Sequence, residues 1–161
     1  MSNVNQSELF FRVSLLNAAY ARCIDQDELE AWPEFFVDPC LYSITSDENH
    51  RRGMAAGIIY CDSQAMLRDR VSALREANIY ERQRYRHLLG MPSSVEVAPG
   101  GLKAETPLAV YRIMRDGSTA LFATGRYVDT LREVAGGELK LAERRVVCDS
   151  SVFDTMLAIP L

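Results

Sequence analysis

The chain has 161 residues and a formal net charge of −4 at pH 7, from 18 basic and 22 acidic side chains. This length fits one domain whose core needs no metal or disulfide, and the hydrophobic fraction of 48% is typical of globular proteins. The charge balance argues against a nucleic-acid partner, because phosphate backbones are bound by clustered Lys and Arg. There is no apolar run long enough to cross a membrane and no secretory signal in the first residues, so we expect no membrane partner and a cytoplasmic location.

Helical signals dominate the first half of the chain. An apolar stripe at helical spacing predicts a first helix that is capped by Asn5. The residues of this stripe are Leu9, Val13, Leu16, Tyr20 and Cys23. A short second helix is predicted to begin at Asp25 and to end or kink at Pro33. The pair Asp62–Ser63 favours the start of a third helix.

Extended patterns follow the second helix and dominate the second half of the chain. Cys40–Thr45 and Ala55–Cys61 are predicted to be paired strands, joined by a charged loop that ends at Arg52. Two further hairpins are predicted at Asp116–Gly117 and Gly136–Gly137, which supply the residues that tight turns prefer.

The run between these two hairpins, Ser118–Val134, is unusually long for one strand, so we expect a bend or bulge near Gly125. Early helices followed by a curling meander predict an α+β fold. In this fold a long, curved antiparallel or mixed sheet forms a cone, and about three helices close its concave face. We expect residues 1–161 to form one domain.

The histidines and cysteines limit the chemistry that this chain can perform. A Rieske cluster needs two Cys and two His in paired short motifs, and a mononuclear iron site needs two His and a carboxylate. His50 and His87 are the only histidines, and no Cys-x-His or Cys-x-x-His pair occurs. The sequence therefore predicts no metal or cofactor bound by this chain. The four cysteines are widely spaced, and we expect them to be reduced and mostly buried.

Several strings, taken in order, resemble the small (β) subunits of Rieske-type aromatic-ring-hydroxylating dioxygenases, in particular the benzoate and anthranilate type. They are Tyr20–Asp25, Glu30–Trp32, Asp38–Tyr42, Leu67–Val71, Arg86–Gly90, Val95–Val97, Gly125–Leu131, Ala142–Val147 and Ile159–Leu161. The fold of that family is similar to nuclear transport factor 2 and to the SnoaL-type cyclases. The resemblance thus implies the same cone-shaped α+β architecture.

This resemblance also implies a division of labour between chains. The large (α) subunit would carry the Rieske [2Fe–2S] cluster, the mononuclear Fe(II) and the substrate pocket, while this chain has a structural role without catalytic residues. Large and small subunits would assemble as an α3β3 hexamer around a trimer of small subunits. A reductase or ferredoxin component would deliver electrons from NADH for dihydroxylation of an aromatic carboxylate by O2.

A subunit interface is predicted along the segment before His87. Arg82, Arg84 and Arg86 recur at a spacing of two, so an extended backbone presents them on one face, where they can pair with carboxylates of a large subunit. Tyr85 supports this interpretation because Tyr is enriched at interfaces. The apolar end of the chain, with Ile159 and Leu161, either joins the interface or packs on the chain's own sheet. The alternative for the arginines is a solvated connector.

The main alternative is a free-standing enzyme with the same fold. Proteins similar to scytalone dehydratase and SnoaL use a His and a carboxylate in the cone pocket for proton transfer. His87 is the histidine followed by apolar residues, and Asp25, Asp62 or Glu143 are candidates to face it. Otherwise His87 is a structural residue at the sheet edge or at an interface. A third alternative is a pocket that binds a small ligand without chemistry.

Overall fold

A computed structural model describes residues 5–54, 57–77, 82–152 and 159–161. In these ranges the chain forms α-helices, one 3₁₀ helix and a seven-stranded sheet. Their bounds are α1 Gln6–Asp25, the 3₁₀ helix Leu29–Phe35, β1 Phe36–Ser46, α2 Asp47–Arg51, β2 Ile59–Cys61, α3 Gln64–Glu76, β3 Gln83–Leu89, β4 Ser94–Ala98, β5 Gly101–Met114, β6 Thr119–Glu133 and β7 Leu139–Cys148.

Helices α1 and α3 begin where the sequence predicts. The Asn5 side chain accepts a hydrogen bond from the backbone N–H of Ser7 at 3.1 Å, and the Ser63 hydroxyl accepts one from the N–H of Met66 at 3.2 Å. Each contact satisfies an N–H group that has no partner within its helix. The predicted N-caps of the first and third helices are therefore confirmed.

The predicted second helix differs from expectation in its start and its type. Asp25 is the last residue of α1, and the following turn passes through Asp27, whose φ is +61°. The next helix starts only at Leu29 and has the tighter 3₁₀ geometry, which is used in short pieces. Pro33 lies inside it and lacks a backbone N–H, so it cannot extend an α-helical ladder.

The charged segment before Arg52 was predicted to be a loop, but it contains the short helix α2. The Ser46 side chain accepts from the backbone N–H of Asn49 at 3.1 Å and so caps this helix. Salt bridges from Arg51 to Asp47 and from Arg52 to Glu48 have the i,i+4 spacing that supports a helix. The returning strand is shorter than predicted, since β2 begins at Ile59. Residues 55–56 lie outside the described ranges.

The sheet has the strand order β2–β1–β7–β6–β5–β3, and β4 also pairs with β5. Strands β5, β6 and β7 form the predicted antiparallel meander, whereas β1 and β7 run parallel. Helix α1 contacts β3, β4 and β7, while α3 contacts β1, β2 and the 3₁₀ helix. The predicted mixed sheet and α+β class are confirmed.

A bulge lies near Gly125, as predicted: Val110 pairs with Ala123 and Tyr111 pairs with Leu121, so Phe122 is an extra residue on β6. Gly125 pairs regularly with Leu108 on β5 and with Cys148 on β7. A Cβ atom at this position would lie 2.1 Å from the Val147 carbonyl oxygen. Glycine is therefore required at residue 125 because the strands approach closely there.

Another register shift lies between β6 and β7. Leu131 pairs with Leu141 and Thr130 pairs with Glu143, so Ala142 is an extra residue on β7. Side chains alternate between the two faces of a strand, and an extra residue changes which positions point inward. Leu141 is buried before the bulge, and Arg144 is buried after it.

Aromatic rings fill the space between the helices and the sheet. Trp32 packs edge-on against Phe36 and Tyr42, with centroid distances of 5.8 and 5.0 Å, and Tyr20 contacts Tyr127 at 5.8 Å. Edge-on contacts of this kind stabilise beyond the area that they bury. The four cysteines also lie in buried positions, as predicted. Burial raises the pKa of Cys23, Cys40 and Cys148 to about 11, so these thiols stay protonated near neutral pH.

Leu161 lies inside this aromatic core. Its oxygen accepts hydrogen bonds from the hydroxyl groups of Tyr20 at 2.9 Å and Tyr42 at 3.1 Å. Its N–H donates to the Tyr42 hydroxyl at 3.0 Å, and the Trp32 indole N–H donates to the Tyr20 hydroxyl at 3.1 Å. The end of the chain thus packs on the chain's own core. Of the two alternatives for Leu161, packing on the chain's own sheet is the one that the structure supports, because the exposed fraction of Leu161 is 1%.

We expect Tyr42→Phe to lower the free energy of unfolding by about 1–3 kcal/mol, because it leaves the buried Leu161 N–H without its acceptor. Urea denaturation followed by circular dichroism measures this loss. Tyr60→Phe is the matched control, since Tyr60 is 42% exposed and water replaces its hydroxyl contacts. Equal stability of the two variants would contradict a stabilising role for the Leu161 contacts.

Candidate functional site

The centre of the molecule is occupied by a buried ion pair. Arg144 on β7 and Asp129 on β6 both have side chains with 0% exposure. The Arg144 Nε donates to Asp129 Oδ1 at 2.9 Å and its Nη2 donates to Oδ2 at 2.7 Å. This two-bond geometry is the strongest form of an arginine–carboxylate contact.

Helix α1 and two tyrosine rings complete the surroundings of Arg144. Its Nη2 donates to Asn17 Oδ1 at 2.5 Å, and the Asn17 amide donates to Thr106 Oγ1 at 3.1 Å. The guanidinium carbon lies 3.7 Å from the centre of the Tyr127 ring and 4.3 Å from that of Tyr20. Burial raises the pKa of Tyr20 to about 12, and the positive charge of Arg144 opposes part of that rise. The pair therefore ties α1 to β5, β6 and β7.

A second polar pair lies where α1 ends beside the edge strand β3. The Asp25 Oδ1 is 2.7 Å from His87 Nδ1, and its Oδ2 accepts from the backbone N–H of His87 at 3.0 Å. Arg86 Nη1 lies 3.8 Å from the same Oδ2. The structure thus brings together two residues of the predicted catalytic alternative, His87 and Asp25.

The other two carboxylates of that alternative lie elsewhere, so the expectation that they face His87 is wrong. Asp62 is exposed and follows β2, at the opposite edge of the sheet from β3. Glu143 adjoins the β7 bulge, is half-buried and forms an ion pair with Arg145.

The His87–Asp25 pair has the arrangement of a general base. A carboxylate that accepts from Nδ1–H orients the imidazole and leaves Nε2 as the proton acceptor. His87 Nε2 is buried and makes no hydrogen bond within the described ranges. Its side chain has 0% exposure. A groove of about 550 Å³ between α1 and β3 is lined by His87, Asp25, Asn17 and neighbouring residues.

Metal binding does not fit the donor atoms that are present. Among the described residues, no three or more His, Cys, Asp or Glu side chains come together in a way that could hold an ion. His87 is already bonded to Asp25, while His50 lies in α2, outside the core. An iron site of either type needs more imidazole or thiolate ligands than these positions supply. In the same part of the chain, no helix is both long and apolar enough to span a membrane.

The predicted interface residues separate into two groups. Arg82, Arg84 and Arg86 are exposed, whereas Tyr85 lies on the opposite side of β3 and is 2% exposed. The Tyr85 ring packs against Phe122 with a centroid distance of 5.2 Å. The expectation that Tyr85 contacts a partner is therefore wrong in this structure, because strand alternation turns it inward. Ile159 is half-buried and lines a groove that also includes Arg82 and Arg84.

Sequence reasoning missed Arg144, Asp129 and Asn17 as the centre of the structure. A signal was present on β6, where Tyr127, Asp129 and Leu131 recur with a period of two and all point inward. A charged residue between two large apolar ones at this spacing indicates a buried carboxylate that needs a cationic partner. Arg144 could not be identified as that cationic partner, because it points inward only as a result of the β7 bulge.

These features define a cone-type α+β protein whose interior is filled by its own side chains, with a second polar pair at one sheet edge. A family model described as "Ring hydroxylating beta subunit" matches residues 19–155. The chain belongs to this family of ring-hydroxylating β subunits.

Individual relatives agree with this assignment. The chain is 52% identical over 150 residues to subunit beta 2 of the terminal oxygenase component of terephthalate 1,2-dioxygenase from Comamonas sp., covering 93% of this chain and 97% of that one. It is 36% identical to the anthranilate 1,2-dioxygenase small subunit of Burkholderia cepacia, with both chains fully covered.

A solved structure shows the same fold. A β subunit assigned to an aromatic-ring-hydroxylating dioxygenase of Novosphingobium aromaticivorans superposes with a TM-score of 0.83 at 39% identity, covering 97% of this chain and 96% of that one. The predicted family and the cone-shaped fold that the resemblance implied are thereby confirmed.

We expect Arg144→Ala to lower the free energy of unfolding by about 3–5 kcal/mol, because it leaves the buried Asp129 carboxylate without its charge partner. The double variant Arg144→Met/Asp129→Leu removes both charges and should recover most of that loss. Chemical denaturation of the single and double variants measures both effects. A double variant no more stable than Arg144→Ala would show that the ion pair itself is not the source of the loss.

Proposed function

We propose that this chain is the structural β subunit of the terminal oxygenase component of a Rieske non-haem iron dioxygenase, and that it contributes no catalytic residue. The observation that supports this most is the occupied interior. Arg144, Asp129, Tyr20 and Tyr127 are buried and fill the space between α1 and the sheet, so their side chains leave no room for a substrate there. Since the described residues bring together no ligand set that fits iron, the Rieske cluster and the Fe(II) would belong to the large subunit.

The assembled enzyme oxidises an aromatic carboxylate in this proposal. Two relatives are named for the dioxygenation of terephthalate and of anthranilate, and both of these compounds are aromatic carboxylates. The terephthalate subunit is more similar to this chain than the anthranilate subunit is. The reaction would be an O2-dependent dihydroxylation in which a reductase supplies electrons from NADH. This chain, acting as one domain, would support the large subunit without touching the reacting atoms.

The proposed assembly is an α3β3 hexamer built on a trimer of this chain, located in the cytoplasm. Exposed apolar side chains favour a protein with large contact surfaces. Phe11 and Leu15 are 62% and 54% exposed on neighbouring turns of α1, and Met91 is 74% exposed after β3. Exposed apolar residues that cluster are typical of interaction sites.

We expect the isolated chain to form a trimer or another oligomer without bound iron, and co-expression with its large subunit to yield a hexamer. Only the hexamer should hydroxylate an aromatic carboxylate when reductase, NADH and O2 are supplied. Light scattering measures the assembly, and metal analysis shows which chain carries the iron. A strict monomer that binds no large subunit, or stoichiometric iron in the isolated chain, would overturn the proposal.

One observation favours a second candidate function. The 2.7 Å contact between Asp25 and His87 Nδ1 is the geometry of a general base, as a free-standing enzyme with this fold would need. Against it stands the complete burial of the imidazole. In a structural subunit the same contact fastens the end of α1 to β3.

We expect His87→Ala to lower stability or assembly while changing turnover per intact complex by no more than a few-fold. His50→Ala is the matched control, because His50 lies in α2, outside the core. Steady-state turnover normalised to assembled complex separates the two functions. A loss of about 10²–10⁴ in rate with assembly unchanged is the typical effect of removing a general acid or base, and would favour the cone-pocket enzyme.

A further inference from the structure

Exposed arginines are concentrated along one edge of the sheet. Arg82, Arg84 and Arg86 lie on the outer side of β3 and its approach, Arg22 lies on α1, and Arg115 follows β5. They are contiguous, because Arg84 shares one groove with Arg22 and Arg86 and another with Arg82 and Arg115. We refer to these five residues as the basic edge.

Among the residues that the structure describes, the charge of the basic edge is largely uncompensated. In the ranges that the structure describes, no carboxylate comes within 4.0 Å of Arg22, Arg82, Arg84 or Arg115. Arg86 reaches Asp25 only at 3.8 Å, and that carboxylate already binds His87. A local positive surface on a chain of net charge −4 attracts acidic partners selectively.

The edge is suited to docking through side chains and not to strand addition. An open strand edge pairs with another chain through free backbone N–H and C=O groups. In β3 the N–H of His87 points away from β5 and donates to Asp25 at 3.0 Å. The end of α1 thus covers the middle of the strand, while the arginines extend from its other face.

We propose that the basic edge binds an acidic surface of the large subunit. This inference rests on the proposed function and names the contact surface for that assembly. Leu88 continues the outward row of β3 and is 54% exposed, and Met91 lies just beyond it. Arg and Met are both enriched in interface cores, and guanidinium groups pair with carboxylates through two hydrogen bonds.

The charge pattern argues against a contact between two copies of this edge and favours a different, acidic surface. Two basic edges facing each other across a two-fold axis would repel. Acidic residues adjoin the basic edge, but Asp27 and Glu30 are already bound by Arg75 at 2.9 and 2.7 Å. A second copy that presents this same edge therefore meets arginines or neutralised carboxylates, and the oligomeric state of the charge-reversal variant tests a three-fold contact with a different surface.

The test compares two charge-reversal variants in binding to the cognate large subunit. Arg82→Glu/Arg84→Glu reverses two charges of the basic edge and leaves Arg86, which lies next to Asp25, unchanged. Lys103→Glu/Arg132→Glu is the control, because it makes the same charge change at exposed strand positions of β5 and β6. Dissociation constants at low and high salt, together with thermal unfolding and the oligomeric state of the isolated chain, provide the readouts.

We expect the basic-edge variant to weaken binding by roughly 10–100-fold at low salt, while the control stays within a few-fold of wild type. The salt dependence of binding should also fall in the basic-edge variant, because fewer charges are paired at the interface. Arg82→Ala/Arg84→Ala/Arg86→Ala should weaken the complex in the same direction. Thermal unfolding of the isolated Arg82→Glu/Arg84→Glu chain should match that of the control.

The outcomes separate this inference from the function that it rests on. If wild type binds the large subunit and the basic-edge variant binds equally well, the basic edge is not the contact and only this inference fails. If that variant instead dissociates the isolated chain into smaller species at unchanged affinity for the large subunit, the edge joins copies of this chain and the inference is also wrong. A wild-type chain that binds no large subunit overturns the proposed function itself.

Discussion

The burial of one arginine determines how the rest of this molecule is arranged. A guanidinium group cannot lose its charge in a protein, so Arg144 requires a carboxylate, additional acceptors and polarisable surroundings wherever it is enclosed. Asp129 supplies the charge, Asn17 supplies a further acceptor, and Tyr127 supplies a ring face. Because these partners come from α1 and β6, the helix and the central strands have little freedom to move relative to one another.

This constraint explains how a fold suited to catalysis can serve as a support. A cone needs interior space to bind substrate, and here Arg144, Asp129 and Asn17 occupy the interior and bond to one another. The His87–Asp25 pair repeats the arrangement at the sheet edge, where it connects the end of α1 to β3. Both pairs hold helix against sheet, and the surfaces that remain free are the outer ones. A rigid chain whose charged pairs are buried is well suited to assembly with a catalytic chain.

Periodic patterns predicted the long elements because helix α1 and strands β5 to β7 bury one face over much of their length. Contacts that depend on the order of strands in the sheet could not be predicted from the sequence. Asp25, Asp62 and Glu143 were equivalent candidates for His87 until the sheet placed β2 and β3 at opposite edges. The inward turn of Arg144 depends on a single extra residue, Ala142, that no local pattern indicates. Tyr85 is assigned to the interface because tyrosine is enriched there, although its place between Arg84 and Arg86 puts it on the opposite face of an extended strand.

The position of Leu161 has a consequence for synthesis of the chain on the ribosome. Its partner Tyr20 lies 141 positions earlier in the sequence, and Tyr42 lies 119 positions earlier. The aromatic cluster around Trp32 therefore stays partly exposed to solvent until β7 and the residues after it have been synthesised. Long-range contacts of this kind form late, and exposed apolar surface in the meantime favours aggregation. During this interval, chaperones or a partner chain translated nearby would protect the nascent chain from aggregation.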